Sequence, residues 1–453
     1  MADVHLLVLI HGMWGNPSHL AHMHHIIQEV KGNSQSVGPG EPELVVLVAQ
    51  TNRDESTYDG IDWGGERVAQ EVLEEVKKHE DKGRRVTRFS VMGYSLGGLL
   101  ARYVIGILHQ NKFFDKVTPV NFNTVATPHI GIPRFPSTFS SIASYLGPKL
   151  LSRTGEQFFC VDKWSPKGRP LVEVLADPDR IFYQALLLFR NVTIYANAIN
   201  DLTVPYVTAG IEAVDPFGDY EKNGIQIEFD EKYAHVIKSY LIPSSPPAIA
   251  PKAPVSVFQK MRNMTPPLPP VLHLPFPLNI LIYALLPVLF PTFLSLVLVR
   301  LSISSHKSRS RLKSLEADSS NQERLIHIIA KLESEIESAV ADLYDDPQNT
   351  PSSSSPIPGQ EPTSDTSLPL GSDKKTKSKS RSPRPPASQP LLTPGQLTCI
   401  ENLNKIPQLK RERAFFADVR NSHAMIVCRD IKSFKIHFKG EGVLRHWADH
   451  FEV

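Results

Sequence analysis

Ser95 lies in a stretch whose residue types and spacing suit a nucleophilic serine. It is central in residues 93–98 (Gly-Tyr-Ser-Leu-Gly-Gly), after a β-branched and apolar run at 86–92 and before an apolar helical stretch at 99–108. Flanking glycines allow the tight strand-to-helix turn that lifts a hydroxyl above a parallel sheet. The alternative is a structural turn with a capping serine, and the predicted strand and helix around it favour catalysis.

A serine hydroxyl is a poor nucleophile, so it needs a base, and the base needs an orienting acid. On an α/β-hydrolase the chain order is serine, acid, histidine. Asp201 follows a strand-like run at 192–197 and precedes Leu-Thr-Val-Pro, which suits the acid in a loop after a late strand. Asp215 and Asp179 are the alternatives, and a turn-forming role is the competing structural explanation for Asp201.

The base is predicted to be His423. It sits in a polar loop, after Asn-Ser at 421–422, and an apolar run follows it. His235, in a short predicted helix, is the alternative. The early histidines at 19, 22, 24 and 25 could by spacing bind a metal, but no acidic ligand accompanies them, so we expect no metal and no cofactor.

An acyl-transfer site also needs backbone donors for the oxyanion. The N–H of Leu96, directly after the nucleophile, is one expected donor. The other is the N–H of Met13, in the His-Gly-Met-Trp-Gly segment at 11–15 that follows the first predicted strand. A plain glycine-rich turn is the alternative for this segment.

The elements that must position these groups alternate over residues 1–240. Apolar runs at 4–10, 44–49, 86–92, 117–123 and 192–197 predict buried parallel strands, and 18–30, 65–79 and 97–110 predict helices between them. This alternation predicts an α/β fold with a mostly parallel sheet. Residues 131–190 interrupt it and are predicted to form a cap over the site, or else ordinary helix packing at the sheet edge.

The second half of the chain changes character several times. A proline-rich linker is predicted at 241–270, an apolar segment at 271–300, and a basic, partly helical and low-complexity insert at 301–395. Low-complexity sequence cannot bury enough apolar surface to fold. Residues 396–453 are predicted to complete the hydrolase core, with strand material at 415–419 and 424–428 and a helix at 442–450.

Residues 271–299 carry no charge and are long enough to span a bilayer. A single crossing would put His423 on the opposite side from Ser95. Pro287 and Pro291 predict a bend, so we expect a hairpin inserted in one leaflet or in a droplet monolayer. A buried helix or lid is one alternative, and a true span, which would require His235 as the base, is another. Basic residues on both flanks favour the cytosolic side.

Composition limits the classes of partner. Lysine and arginine total 49 against 47 aspartate and glutamate, a formal net charge of +2, so no nucleic-acid partner is expected. Three widely spaced cysteines (Cys160, Cys399, Cys428) argue for a reducing compartment. The first residues lack the features of a secretory signal, and we expect the protein not to be secreted.

Five segments resemble the lipase-like putative serine esterase family, a domain long labelled as of unknown function, and in particular its fungal lipid-droplet phospholipase and monoacylglycerol lipase branch. They are residues 9–16, 57–61, 93–98, 126–131 and 200–205. The resemblance covers 1 to about 240 and resumes around 421–447. It implies an α/β-hydrolase fold, a Ser95–Asp201–His423 triad and hydrolysis of lipid esters.

The resemblance implies a glycerolipid substrate and a location on the cytosolic face of a lipid droplet or the endoplasmic reticulum. Tyr94 stands where many lipases have histidine. Two other functions stay open at this point: a thioesterase or small-ester hydrolase with the same triad, and a non-catalytic scaffold protein on a lipid surface.

Overall fold

The apolar runs of the first 200 residues form adjacent strands of one sheet, because each can bury both of its faces. The computed structural model describes residues 2–32, 41–243, 278–317 and 388–453. Its strands are β1 Ala2–Ile10, β2 Glu43–Val48, β3 Arg84–Tyr94, β4 Thr118–Val125, β5 Asn191–Asn197, β6 Gln226–Phe229, β7 Val236–Leu241 and β8 Leu409–Ala414.

The α-helices lie between and around these strands. They are α1 Ala21–Lys31, α2 Ile61–Asp81, α3 Leu96–Gln110, α4 Thr138–Leu150, α5 Ser152–Phe158, α6 Leu171–Leu175, α7 Ile181–Leu187, α8 Tyr206–Gly210, α9 Tyr220–Asn223, α10 Leu278–Ala317, α11 Pro394–Leu403 and α12 Glu441–Asp449.

The strand order is β2-β1-β3-β4-β5-β8-β7-β6, and the first six strands are parallel. β6 and β7 form an antiparallel hairpin at the end of the sheet, which the sequence analysis did not predict. This topology, with helices on both faces, is the α/β-hydrolase fold, so the predicted fold class is confirmed.

Residues of one strand alternate between two separate cores. In β1, Leu6 and Val8 pack on the α3 side, whereas Leu7 and Leu9 pack on the side of α1 and α12. Burial on both faces explains why this strand is a continuous apolar run without period-two alternation.

The predicted cap at 131–190 divides into two parts. Helix α4 has no buried residue, and its Phe139 is 80% exposed. Helices α6 and α7 instead bury apolar residues in the core that also contains α3. The second part therefore packs as part of the main domain, whereas α4 packs against α5 and α10 without placing a buried residue in that core.

Helix α10 differs from the predicted hairpin. It is helical throughout, including at Pro287 and Pro291, so over 278–300 the chain forms one helix and does not reverse direction. Each proline removes only one helical hydrogen bond, the one to the carbonyl four residues earlier, and the helix continues past both. Among the described helices one segment, Pro287–Ala317, is long and apolar enough by composition to cross a membrane.

The C-terminal segment completes the sheet at a place the sequence analysis missed. β8 has the charged sequence Leu-Lys-Arg-Glu-Arg-Ala and pairs with both β5 and β7. The predicted strands at 415–419 and 424–428 are turns, apolar because Phe416, Ile426 and Val427 fill the core beneath α12. The predictions for 244–277 and 318–387 lie outside the described residues.

Candidate active site

Ser95 connects β3 to α3 in a strained backbone conformation. Its φ of 57° and ψ of −124° lie where side chains other than glycine are uncommon, and such strain at a functional position costs of order 1–3 kcal/mol. A Cβ on Gly97 would lie 2.1 Å from the carbonyl oxygen of Ile10, so glycine is required for α3 to approach β1. The residue pattern and the geometry thus agree on a nucleophile elbow.

The structure brings the three predicted triad residues together. His423 Nε2 lies 3.0 Å from Ser95 Oγ, and His423 Nδ1 lies 2.9 Å from Asp201 Oδ2. The serine follows β3, the aspartate follows β5 and the histidine lies in the loop after β8. All three lie at the carboxyl end of the parallel strands, where ligand sites of open α/β sheets form.

Asp201 is held by four donors. Its Oδ1 accepts from the N–H groups of Thr203 and Val204 at 2.9 and 2.8 Å, and its Oδ2 accepts from Asn197 Nδ2 at 2.8 Å as well as from His423. Burial alone would raise the pKa of Asp201, but the charge of His423 and these hydrogen bonds hold the pKa below its usual value. The carboxylate is therefore ionised at neutral pH and can orient an imidazole.

The alternative acids and the alternative base have other partners. Asp215 accepts from the N–H of Phe217, and burial raises its pKa to about 6. The N–H of Asp179 donates to Asp177. His235, placed just before β7 and not in a helix, contacts the carbonyl oxygen of Phe415 through Nδ1 at 3.2 Å.

Three residues that support the histidine or the acid were not identified from the sequence. The hydroxyl of Tyr94 donates to the carbonyl oxygen of His423 at 2.9 Å, and the two rings lie 5.2 Å apart. Ser422 Oγ donates to the Ile199 carbonyl at 2.9 Å, and Asn197 supports the acid. Tyr94 adjoins Ser95 in sequence, which was the one available signal, but its partner lies 329 positions away.

The turn at residues 11–15, called the oxyanion turn below after its predicted role, lies directly against Ser95. A Cβ on Gly12 would lie 2.7 Å from Ser95 Cβ and 3.2 Å from Ser95 Oγ. Met13, the predicted donor, follows Gly12. Leu96, the other predicted donor, is the first residue of α3, where N–H groups have no intrahelical acceptor.

The oxyanion turn is fixed by a neighbouring 3-10 turn, Asp54–Tyr58. The N–H of Trp14 donates to Thr57 Oγ1 at 3.1 Å, and the Trp14 indole N–H donates to the Tyr58 hydroxyl at 2.8 Å. The N–H of Asp54 donates to the Gly15 carbonyl at 3.0 Å.

The remaining histidines have other surroundings. His129 is buried, and its Nε2 lies 2.9 Å from Thr124 Oγ1. His19, His22 and His25 line a groove beside Arg429. In the portion of the chain that the structure describes, no three His, Cys, Asp or Glu side chains are grouped to hold a metal ion.

The sheet, the elbow and this arrangement define the class of α/β-hydrolases. Within that class, residues 1–213 match the family described as putative serine esterase (DUF676). The resemblance noted in the sequence is thereby confirmed for this part of the chain.

Curated relatives of this chain carry the name putative lipase. It is 32% identical over 223 residues to putative lipase C4A8.10 of Schizosaccharomyces pombe, covering 48% of this chain and 27% of that protein. It is 30% identical over 213 residues to putative lipase ROG1 of Saccharomyces cerevisiae, covering 47% and 29%. The match thus spans less than a third of the length of either relative.

Solved structures resemble the chain more distantly. The lin2722 gene product of Listeria innocua shares 16% identity, with 46% of this chain and 77% of that chain covered and a TM-score of 0.25. Phospholipase PlaB from Legionella pneumophila shares 14% identity, with 46% and 41% covered and a TM-score of 0.29.

Proposed function

We propose that this protein is a serine lipase that hydrolyses carboxylic esters of glycerolipids, a phospholipid or a monoacylglycerol, at the cytosolic surface of a lipid droplet or of the endoplasmic reticulum. The observation that carries this proposal is the continuous line of hydrogen bonds from Asp201 through His423 to Ser95, on a strained elbow beside the oxyanion turn.

The proposed reaction uses a covalent acyl-enzyme. Ser95 Oγ attacks the ester carbonyl carbon while His423 Nε2 takes the hydroxyl proton, and Asp201 stabilises the imidazolium. The carbonyl oxygen, now negative, accepts from the N–H groups of Met13 and Leu96. When the tetrahedral intermediate collapses, the alcohol leaves with the proton from His423. Water activated by His423 then attacks the acyl-enzyme, which releases the fatty acid and restores Ser95.

Exposed apolar surface supports a lipid as the substrate. Helix α4 exposes Phe139, Ile142 and Tyr145 on one face, at 80%, 57% and 66%. In α10, a longer set of apolar side chains is exposed between residues 285 and 299. Soluble monomers rarely expose contiguous apolar surface of this kind without a use for it. The two curated relatives described above are both named as lipases.

Each of the two alternative functions would need only one of these features, the triad or the apolar helix. A thioesterase or small-ester hydrolase would need the same triad without the apolar helix. A non-catalytic scaffold would need the helix without the activated serine. The strained elbow favours an enzyme over a scaffold, because backbone strain at Ser95 has no use in a protein that only binds lipid.

The test is hydrolysis of phospholipids and of mono-, di- and triacylglycerols by the purified full chain, with Ser95→Ala alongside. We expect fatty-acid release by the wild type and none by the variant, and labelling by a fluorophosphonate probe in the wild type alone. Thiol esters and short soluble esters cleaved to the exclusion of every glycerolipid would identify the thioesterase or small-ester alternative. Vesicle binding without labelling or turnover would refute the enzyme and favour the scaffold.

A further inference from the structure

We propose that Asp59, called the latch below, fixes a lipid-binding helix, α10, next to the oxyanion turn. The helix that enters lipid then also holds the catalytic site in its working geometry. This inference rests on the proposed function. Asp59, Ser308 and Arg311 receive a positioning role in this proposal. The partner of residues 285–299 of α10 is the acyl layer of a lipid surface.

Helix α10 has two parts with different surroundings. Its apolar half, residues 285–299, carries no charge and is mostly exposed, with Val288, Phe293 and Leu296 at 65%, 66% and 65%. Its docked half, residues 300–317, is rich in serine and basic residues and packs on the catalytic domain. Four of its side chains are buried: Ser304, Ser305, Ser308 and Leu312.

The docked half is fixed on one buried carboxylate. Asp59 has no exposed surface and accepts from Arg311 Nη2 at 2.5 Å, from Arg311 Nε at 3.0 Å and from Ser308 Oγ at 2.7 Å. Arg67 of α2 supplies a further donor at 2.9 Å. A bidentate arginine on a buried carboxylate is a strong and geometrically specific contact, and removing one partner leaves a buried charge under-compensated.

Further contacts fix the docked half around the latch. Ser304 Oγ donates to Glu55 Oε1 at 3.2 Å, and Ser305 Oγ donates to the Lys149 carbonyl, at the end of α4, at 3.0 Å. Arg309 pairs with Glu156 of α5 at 3.1 Å. Helix α10 is therefore held by the 3-10 turn with Asp59, by the end of α4 and by α5. These contacts fix its direction relative to the candidate active site.

A short chain of contacts leads from the latch to the nucleophile. Asp59 directly follows the 3-10 turn Asp54–Tyr58, whose Thr57 and Tyr58 accept the two N–H groups of Trp14. Trp14 belongs to the oxyanion turn, and Gly12 of that turn lies against Ser95. Each step is a link along the chain, a hydrogen bond or a packing contact, so displacing α10 would loosen the turn that carries the Met13 N–H.

The occupant of the apolar half is argued from charge and continuity. The uncharged surface ends at Arg300, after which Lys307 and Arg309 are exposed, an order that suits acyl chains followed by anionic headgroups. Trp14, 50% exposed, lines a groove together with Val297 and Arg300 at this boundary. A lipid surface that receives the apolar half would therefore lie next to the oxyanion turn.

The experiment compares the full chain with Arg311→Gln and Ser308→Ala at the latch, Phe293→Glu in the apolar half, and Ser310→Glu as a matched control. Ser310 is an exposed residue of the docked half outside these contacts. Binding is measured by flotation with vesicles of phosphatidylcholine and phosphatidylserine. Activity is measured on p-nitrophenyl butyrate, a soluble ester, and on phospholipid in the same vesicles.

We expect Phe293→Glu to lose vesicle binding at least about tenfold, because a charged side chain is expensive in an acyl layer. We expect Arg311→Gln to keep vesicle binding but to lower kcat on the soluble ester about tenfold at unchanged KM, since a displaced donor weakens only the transition state. Arg311→Lys should restore part of kcat, and Ser310→Glu should behave as wild type.

Flotation of Phe293→Glu like wild type would overturn the lipid assignment. A wild-type kcat on the soluble ester in both latch variants would overturn the coupling, whatever their rate on vesicles. Melting temperature is recorded for every variant, and Ser308→Ala keeps the test decisive if Arg311→Gln fails to fold. A wild type that neither labels nor cleaves any ester would instead refute the proposed function, independently of flotation.

Discussion

Replacing Asp201 by asparagine should inactivate the enzyme by forcing the wrong tautomer on His423. The N–H groups of Thr203 and Val204 both point at Oδ1, at 2.9 and 2.8 Å, so the amide oxygen of the variant must take that position. Its NH₂ group then replaces Oδ2 and donates to His423 Nδ1. The imidazole must carry its proton on Nε2, directed at Ser95 Oγ, and can no longer accept the serine proton.

The expected loss is about 10⁴-fold in kcat, or about 5.5 kcal/mol of transition-state stabilisation, as for the same substitution in a Ser-His-Asp triad of another fold. Folding should survive. Asn197 Nδ2 would face the new NH₂, but Asn197 Oδ1 has no partner in the described structure, so turning that amide restores a hydrogen bond.

The assay is kcat and KM on p-nitrophenyl butyrate, with melting temperature as the check on folding. Asp215→Asn is the matched control, since Asp215 is also a loop aspartate that caps backbone N–H groups but has no contact with His423 among the residues described. Asp201→Asn with more than about a tenth of the wild-type kcat would refute the tautomer argument. A collapse of kcat in Asp215→Asn instead would identify a different acid.

Two further predictions concern packing and pH. Gly12→Ala should lower kcat about 10²-fold with little change in KM, measured on the same ester, because the new Cβ would lie 2.7 Å from Ser95 Cβ and must displace the turn or the nucleophile; a wild-type kcat would contradict it. His5, whose pKa is lowered to about 3 by burial and secondarily by the charge of Arg88, should make the protein acid-sensitive. Below about pH 6.5 the unfolded chain binds a proton on His5, whereas the native state does not. The free energy of unfolding is therefore undiminished above pH 6.5 and falls as the pH drops towards 3, by about 2 kcal/mol at pH 5. The test is the free energy of unfolding, measured by urea denaturation at pH 7.5 and at pH 5 for the wild type and for His5→Gln, which keeps a partner for Ser90. The loss of unfolding free energy between the two pH values should be smaller in the variant by that amount. An equal loss in both proteins would contradict the assignment to His5.

The central sheet was predictable because its strands are buried on both faces and carry an unmistakable apolar run. β8 was not, since its four consecutive charged residues resemble an exposed segment, and only its pairing with β5 on one side and β7 on the other makes it a strand. The apolar residues at 415–428 gave the opposite error. They are hydrophobic because turns, as well as strands, can cover a core.

The candidate site was predictable to the extent that chemistry orders it along the chain. A glycine-flanked serine, a later loop aspartate and a still later loop histidine follow from the needs of acyl transfer. The contact between the Tyr94 hydroxyl and the His423 carbonyl could not be predicted, because it depends on how the end of β3 meets the loop after β8. The same holds for the contact between α10 and Asp59, which joins residues about 250 positions apart.

The position of α10 also bears on the apparent conflict between a long apolar segment and a triad divided by it. β7, before the segment, pairs with β8, after it, and the docked half of α10 packs on the same domain. β7, β8 and the docked half of α10 therefore belong to one folded body, which also contains Ser95, Asp201 and His423. A continuous helix can thus serve the purpose for which a hairpin was predicted: it can enter lipid from the side of the domain while its other end stays fixed beside the oxyanion turn.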